Sequence, residues 1–149
     1  MLLMHKVFLK ILFLIPVIGY ANDPFEEINR EVWTFNEGVD NRIARPVAEF
    51  YDDVVPTPVQ SSITNFFSNL DEIDNSINQL LQGKPVAAGN DFARFLVNTT
   101  FGFLGFFDVA SIMGLEEHDE DFGQTLGVWG VPTGPYLMLP FYGPSSPRD

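Results

Sequence analysis

Three places in the chain group side chains that could do chemistry. The first is the acidic run Glu116-Glu117-His118-Asp119-Glu120-Asp121. His118, Asp119 and Asp121 are clustered nitrogen and oxygen donors of the kind that hold a divalent cation. The run lacks the spacing of a calcium loop and the glycine its sixth position needs. It therefore reads as a solvated loop, with His118 a plain exposed imidazole. The second is Asp52-Asp53. Neighbours on a helix point about 100° apart, so these carboxylates do not converge for acid/base work and read as surface charge. The third comprises Ser61-Ser62 and Ser145-Ser146, which have no nucleophile-elbow context. There is no cysteine, which excludes thiol catalysis, disulfides and thiolate metal sites. No phosphate-cradling glycine loop leads into a helix. The expectation is a protein without catalytic residues, metal or cofactor.

Composition points elsewhere. Lys6 and Lys10 precede a short apolar stretch from Ile11 to Ile18, and Gly19-Tyr20-Ala21 sets small residues at −3 and −1 of a cleavage site. That is a secretory signal over residues 1–21, the alternative being an uncleaved N-terminal anchor helix. One domain, residues 22–149, remains. It keeps all 20 acidic residues against six Lys and Arg, a formal charge of −14. Such a charge repels nucleic acid and does not dock on an anionic bilayer. Contact with lipid must then be apolar.

The elements that position these residues are mostly helical. Asp23-Pro24 with Glu26 starts a helix from about Pro24 to Asp40. Arg45-Pro46 is expected to break the chain before a short turn over Val47 to Tyr51. Thr57-Pro58 starts the clearest helix, with an apolar stripe of Val59, Ile63, Phe66, Phe67 and Leu70 continued by Ile73, Ile77, Leu80 and Leu81. Gly83 stops it. Asn69 and Glu72 read as an internal capping box, which favours two helices meeting near Leu70 over one long helix. Pro85 opens another helix. Between Phe95 and Leu115 only Asp108 is charged, yet its polar residues and glycines make this a poor membrane span and a better buried or interface-lying hairpin.

The stretch from Phe122 to Pro147 has no charged side chain. Its density of Gly and Pro predicts no helix. Trp129, Tyr136, Leu137, Leu139, Phe141 and Tyr142 are too apolar for a solvated linker, so this segment must be buried against protein or lipid. Thirteen Phe and both Trp lie beyond the signal. Together they imply an exposed apolar interface. The fold class is mainly α, with an irregular Gly/Pro/aromatic C-terminal segment.

The order and spacing of short motifs resemble the MlaA (VacJ) family of Gram-negative outer-membrane proteins. They begin with Asp23-Pro24, Asn29-Arg30, Phe35-Asn36 and Arg45-Pro46-Val47-Ala48. They continue through Asn65-Phe66, Asn69-Leu70, Leu81-Gln82-Gly83-Lys84-Pro85, Arg94-Phe95, Asn98-Thr99, Gly102, Gly105 and Asp108-Val109-Ala110. They close with Phe122-Gly123-Gln124-Thr125-Leu126-Gly127, Gly134-Pro135-Tyr136, Leu139-Pro140 and Arg148-Asp149. The resemblance implies amphipathic helices forming part of a ring embedded in the outer membrane beside a trimeric porin. It implies a non-enzymatic channel that moves mislocalised phospholipid out of the outer leaflet, toward a soluble periplasmic carrier of the MlaC type, so keeping lipid asymmetry. Asn36, Asn98 and Thr125 are then candidates for a polar lining. By the same resemblance a mobile hairpin between the 101–107 region and Phe122 gates the channel. Gly102, Gly105 and Gly114 would be its hinges, and Val32 and Phe35 the channel-side neighbours of Phe122. Two departures stand out. The lipobox cysteine of the family is missing, and the family domain normally continues past Arg148-Asp149, so the chain reads as incomplete at its C-terminus. The alternative function is a periplasmic structural or interaction module without transport activity.

Overall fold

The computed structural model describes residues 23–149; the expected signal peptide lies outside them. Helix α1 spans Glu26–Val39. The expected capping box does not form: the N-cap is Phe25, with no side-chain cap, and the Asp23 carboxylate instead accepts the Phe25 amide at 2.9 Å in the turn before the helix, while Glu26 and Glu27 complement the positive end of the helix dipole. The expected break at Arg45-Pro46 does not occur. A π-helical turn over Asp40–Ala44 carries the chain straight into α2, Arg45–Val54. Proline lacks an amide and its ring crowds the preceding turn. The wider π turn absorbs both problems by placing Pro46 in the first turn of a new α-helix.

Helix α3 is one continuous element, Thr57–Leu81, about 37 Å long; the expected division near Leu70 is absent. Asn69 and Glu72 do not cap anything. Both reach sideways to α4, Pro85–Thr100: Asn69 donates to the Thr99 hydroxyl at 2.9 Å, and Glu72 pairs with Arg94. Gly83 ends α3 as expected. The Gly83 amide donates to the Leu80 carbonyl at 3.0 Å and the Lys84 amide to the Gln79 carbonyl at 2.8 Å, the paired bonds of a Schellman turn. The chain then folds back, so α3 and α4 form an antiparallel hairpin with Ser76 opposite Ala88 and Glu72 opposite Arg94.

After a tight turn over 101–107 comes α5, Val109–Ile112, capped by Asp108. The stretch expected to contain no helix begins with one: α6 spans Phe122–Val128. Asp121 caps it by accepting the Gln124 amide at 2.6 Å. No proline falls inside those seven residues, and the cap offsets the cost of two glycines. The rest of the tail is irregular apart from a small antiparallel hairpin, β1 Leu137–Leu139 and β2 Gly143–Ser145, in register Leu137↔Ser145 and Leu139↔Gly143. It packs on α1, and α6 packs on α3.

The polarity of this architecture is inverted. Between α3 and α4 the buried side chains are Asn69, Glu72, Ser76, Gln79, Asp91, Arg94 and Asn98. Among the described residues only Ala88 and Ala110 are buried hydrophobics. The apolar stripe of α3 is present, but Phe67, Leu70, Ile73, Ile77 and Leu80 face outward, as do Phe92 and Leu96 of α4.

Candidate functional site: a polar seam inside an apolar shell

The seam is built around Arg94, whose side chain is 2% exposed. Its Nε bonds Glu72, itself 2% exposed. Its Nη1 donates to the Leu115 carbonyl at 2.8 Å and the Ser111 hydroxyl at 3.1 Å. Asp108 lies 3.5 Å and Glu117 3.8 Å from Nη2. Arginine suits this position because five fixed donors reach several partners at once. Burial pushes the Glu72 carboxyl above its ordinary range, against the pull of the Arg94 guanidinium. Burial also acts to raise Asp108, but hydrogen bonds from Ser111 and Asn98 and the charge of Arg94 outweigh it and hold that carboxyl low. The whole 108–115 segment is thereby fastened to α4, with Asn98 accepting the Ala110 amide at 2.8 Å.

The acidic loop is fastened through His118 and Glu120, while Glu116, Glu117, Asp119 and Asp121 stay exposed, as expected of a solvated loop. His118 is not a plain exposed imidazole: its Nδ1 lies 2.5 Å from a carboxylate oxygen of the fully buried Asp91. Glu120 takes Lys84 at 2.7 Å and Gln82 at 2.7 Å, and the bond from Lys84 holds its carboxyl below the ordinary range. No group of three or more His, Asp or Glu side chains is placed to hold a metal ion among the described residues.

Asparagine amides hold the irregular backbone. Asn75 of α3 donates to the His118 carbonyl at 2.7 Å and accepts the Glu120 amide at 3.0 Å. Asn29 of α1 donates to the Tyr136 carbonyl at 3.1 Å and accepts the Met138 amide at 2.8 Å. Asn36 does the same for Leu139 at 2.9 Å and Phe141 at 2.8 Å. In each case one side chain spans a carbonyl and the amide two residues on, as a neighbouring strand would.

These contacts show where the residues singled out in the sequence lie. Val32 is half-buried on α1. Phe35 meets Phe141 edge-on, ring centres 5.3 Å apart. Asn36 bonds the tail. Asn98 bonds the 108–110 segment, and Thr125 is buried with its hydroxyl on Asn78 at 2.8 Å. Phe122 is 55% exposed at the start of α6, an element packed on α3, whereas α1 packs on β1. Gly102 and Gly105 are tightly enclosed: a Cβ on Gly105 would stand 2.6 Å from Asn69. Gly114, by contrast, has open space around its α-carbon. The residues that organise the seam, Arg94, Glu72, Asp91 and Asn75, were not singled out as a site. Their only local signal is polar residues recurring at helical spacing opposite the apolar stripe.

No helix among the described residues is long and apolar enough to cross a membrane. A family model for MlaA lipoproteins matches residues 21–149. The chain belongs to the MlaA family. It is 41% identical over 135 residues to the intermembrane phospholipid transport system lipoprotein MlaA of Haemophilus influenzae, covering 89% of this chain and 54% of the relative. It is 43% identical over 134 residues to the protein of the same name from Escherichia coli K12, covering 86% and 53%. The chain thus spans about half the length of the curated relatives it matches. A solved structure described as the structural basis for maintenance of bacterial outer membrane lipid asymmetry superposes with a TM-score of 0.79. It is 42% identical, over 86% of this chain and 66% of that one.

Proposed function

We propose that this MlaA-family chain serves non-enzymatic intermembrane phospholipid transport. In this reading it removes mislocalised phospholipid from the outer leaflet of the outer membrane and so maintains lipid asymmetry. The observation that carries the reading is the inverted polarity. In water, exposing Phe, Leu and Ile while burying Arg, Glu and Asp is unfavourable on both counts. Against hydrocarbon the same arrangement is favourable. Helices with one apolar and one polar face suit elements lying in the plane of a bilayer, and the names of the relatives point the same way. A trimeric porin would cover part of the apolar shell, and a soluble MlaC-like carrier would receive the lipid on the periplasmic side.

The test is complementation in a Gram-negative strain lacking its own MlaA, with surface-exposed phospholipid measured by an added phospholipase. Expression of the chain should return surface phospholipid to the wild-type level. If the folded chain reaches the outer membrane and surface phospholipid stays at the deletion level, transport fails, and a structural module is the better account. Gating is tested with a V32C/F122C pair, the only cysteines in such a chain. Gly114 is the hinge candidate with open space around it, and a swing of α6 toward α1 would have to release the bonds of Asn75 and Asp91 to the 116–121 loop. Transport should stop on oxidation and return on reduction. Crosslinking that leaves transport unchanged would dispose of the gate.

A further inference from the structure

The tail strand that Asn29 and Asn36 hold against α1 borders a second feature. Between β1 and the first two turns of α1 lies an open pocket of about 210 Å³. Trp33, Tyr136 and Met138 supply its apolar walls, and Asp23, Glu26 and Arg30 its charged rim. Trp33 falls one turn after Asn29 on α1, and Tyr136 and Met138 are alternate residues of an extended segment, so both elements turn one side toward the space.

The pocket is held in shape by Asn29, which is 6% exposed. One amide hydrogen goes to Asp23 at 2.9 Å and the other to Tyr136, while its oxygen takes the Met138 amide. Asp23 is therefore a fixed carboxylate. It accepts from Asn29 and from the Phe25 amide, and an ionised carboxylate has lone pairs beyond those two. Among the described residues Arg30 is bound only to Glu26, at 2.8 and 3.0 Å on an exposed surface, a pair readily exchanged for other partners.

Two carboxylates and one guanidinium give the rim a formal charge of −1, beside two aromatic rings. An organic ammonium is what such a site favours, through the carboxylates and the ring faces together. Arg30 suits the phosphate that a headgroup carries a few bonds away. The volume is below that of pockets for drug-sized ligands, so it takes a headgroup and leaves acyl chains outside. A bare anion would meet the net negative rim. A lone cation would leave Arg30 on Glu26 and gain nothing from it.

We propose that this pocket binds a compact ammonium–phosphate zwitterion, the ethanolamine phosphate head of a phospholipid. In naming a lipid as the source, the inference rests on the transport reading above.

The test uses the full chain labelled with fluorotryptophan. Its two tryptophans, Trp33 and Trp129, give a reporter and an internal control in 19F NMR. Phosphoethanolamine should shift the Trp33 resonance saturably and leave Trp129 in place. Inorganic phosphate and ethanolamine should each bind at least about tenfold more weakly. Tyr136→Leu should weaken phosphoethanolamine binding about tenfold. Arg30→Gln, at an exposed position, should abolish the preference for phosphoethanolamine over ethanolamine. Nanodiscs of phosphatidylethanolamine should shift Trp33 and nanodiscs of phosphatidylglycerol should not. No response of Trp33 to phosphoethanolamine overturns the site. A response to the soluble compound but not to phosphatidylethanolamine, or an equal response to phosphatidylglycerol, overturns the lipid source. Surface-phospholipid clearance is scored separately on the same chain. A silent Trp33 with clearance intact removes the site and spares transport, whereas a responsive Trp33 without clearance supports the site and removes transport.

Discussion

Replacing Arg94 with methionine tests whether the buried seam holds the helical hairpin together. Methionine keeps much of the length of the side chain and removes its charge and donors. Glu72 would then be a buried carboxylate whose second oxygen already has no hydrogen-bond partner among the described residues. The Leu115 carbonyl and Ser111 hydroxyl would lose a donor as well. Breaking a buried ion pair from one side costs about 3–5 kcal/mol, a large share of the roughly 5–15 kcal/mol that separates folded from unfolded domains. Glu72→Gln should be milder. Its carbonyl still accepts from the guanidinium, and Asp108 remains 3.5 Å away, so the loss is about 1.5–3 kcal/mol. The double variant R94M/E72M removes both buried charges and should recover at least about 2 kcal/mol relative to R94M, because well-packed apolar replacements of buried pairs are often neutral or better. Urea unfolding in one mild detergent, followed by far-UV circular dichroism with the slope of the transition checked for constancy, measures all three. An R94M cost below about 1 kcal/mol, or a double variant no more stable than R94M, would refute the reasoning.

Three other perturbations probe the tail, the loop and the turn. Asn36→Leu removes the partners of Leu139 and Phe141, both at exposed positions, and should cost about 0.5–1.5 kcal/mol, seen as faster hydrogen exchange at the Phe141 amide while the interior of α3 is unchanged. Acidification should release the 116–121 loop. Glu120 is held below its ordinary value of 4.5 by Lys84, so its contribution is present above that value and is lost as pH falls through the lowered one. Lys84→Gln should move the Glu120 carboxyl midpoint upward in a 13C NMR titration; an unmoved midpoint would remove the Lys84 tether. Gly105→Ala should cost about 2 kcal/mol or more, because the backbone there has φ +96° and the new methyl meets Asn69. Gly114→Ala, at φ +81° in open space, should cost only about 1 kcal/mol. Equal melting temperatures for the two variants would contradict that difference.

Helix positions were legible because their signals are local. The Gly83 stop and the spacing of Val59 to Leu81 each depend on neighbours within two turns. Periodicity shows which residues share a face, but it does not say which face is inside. The stripe on α3 was found, while the assignment of interior to Glu72, Ser76 and Gln79 depends on α4, whose matching polar face is Asp91, Arg94 and Asn98. His118 looked solvated because its partner Asp91 is 27 residues earlier, beyond any local pattern. The contact between Phe35 and Phe141 spans more than a hundred residues and is equally outside local pattern. The π turn was missed for another reason: a proline reads as a break unless the turn before it can widen.

The asparagine contacts explain how so irregular a tail is tolerated on an apolar protein. Backbone amides and carbonyls away from water must find partners within the protein. A helix cannot supply them from its own backbone, which is already bonded along its axis. An asparagine amide can, since it offers a donor and an acceptor like a peptide group. The spacing also fits. Asn29 and Asn36 are seven residues apart, about 10.5 Å along α1. The tail positions they hold, Tyr136 and Leu139, are three apart, about 10 Å along an extended chain. Two side chains on one helix face therefore meet two successive sites on the tail without strain in either. Aspartate has nearly the same shape but no donor, so at Asn36 it would keep the Phe141 bond and face the Leu139 carbonyl with a negative charge. One bond of that rung would become repulsive, and Asn29 would be left as the rung with both bonds intact.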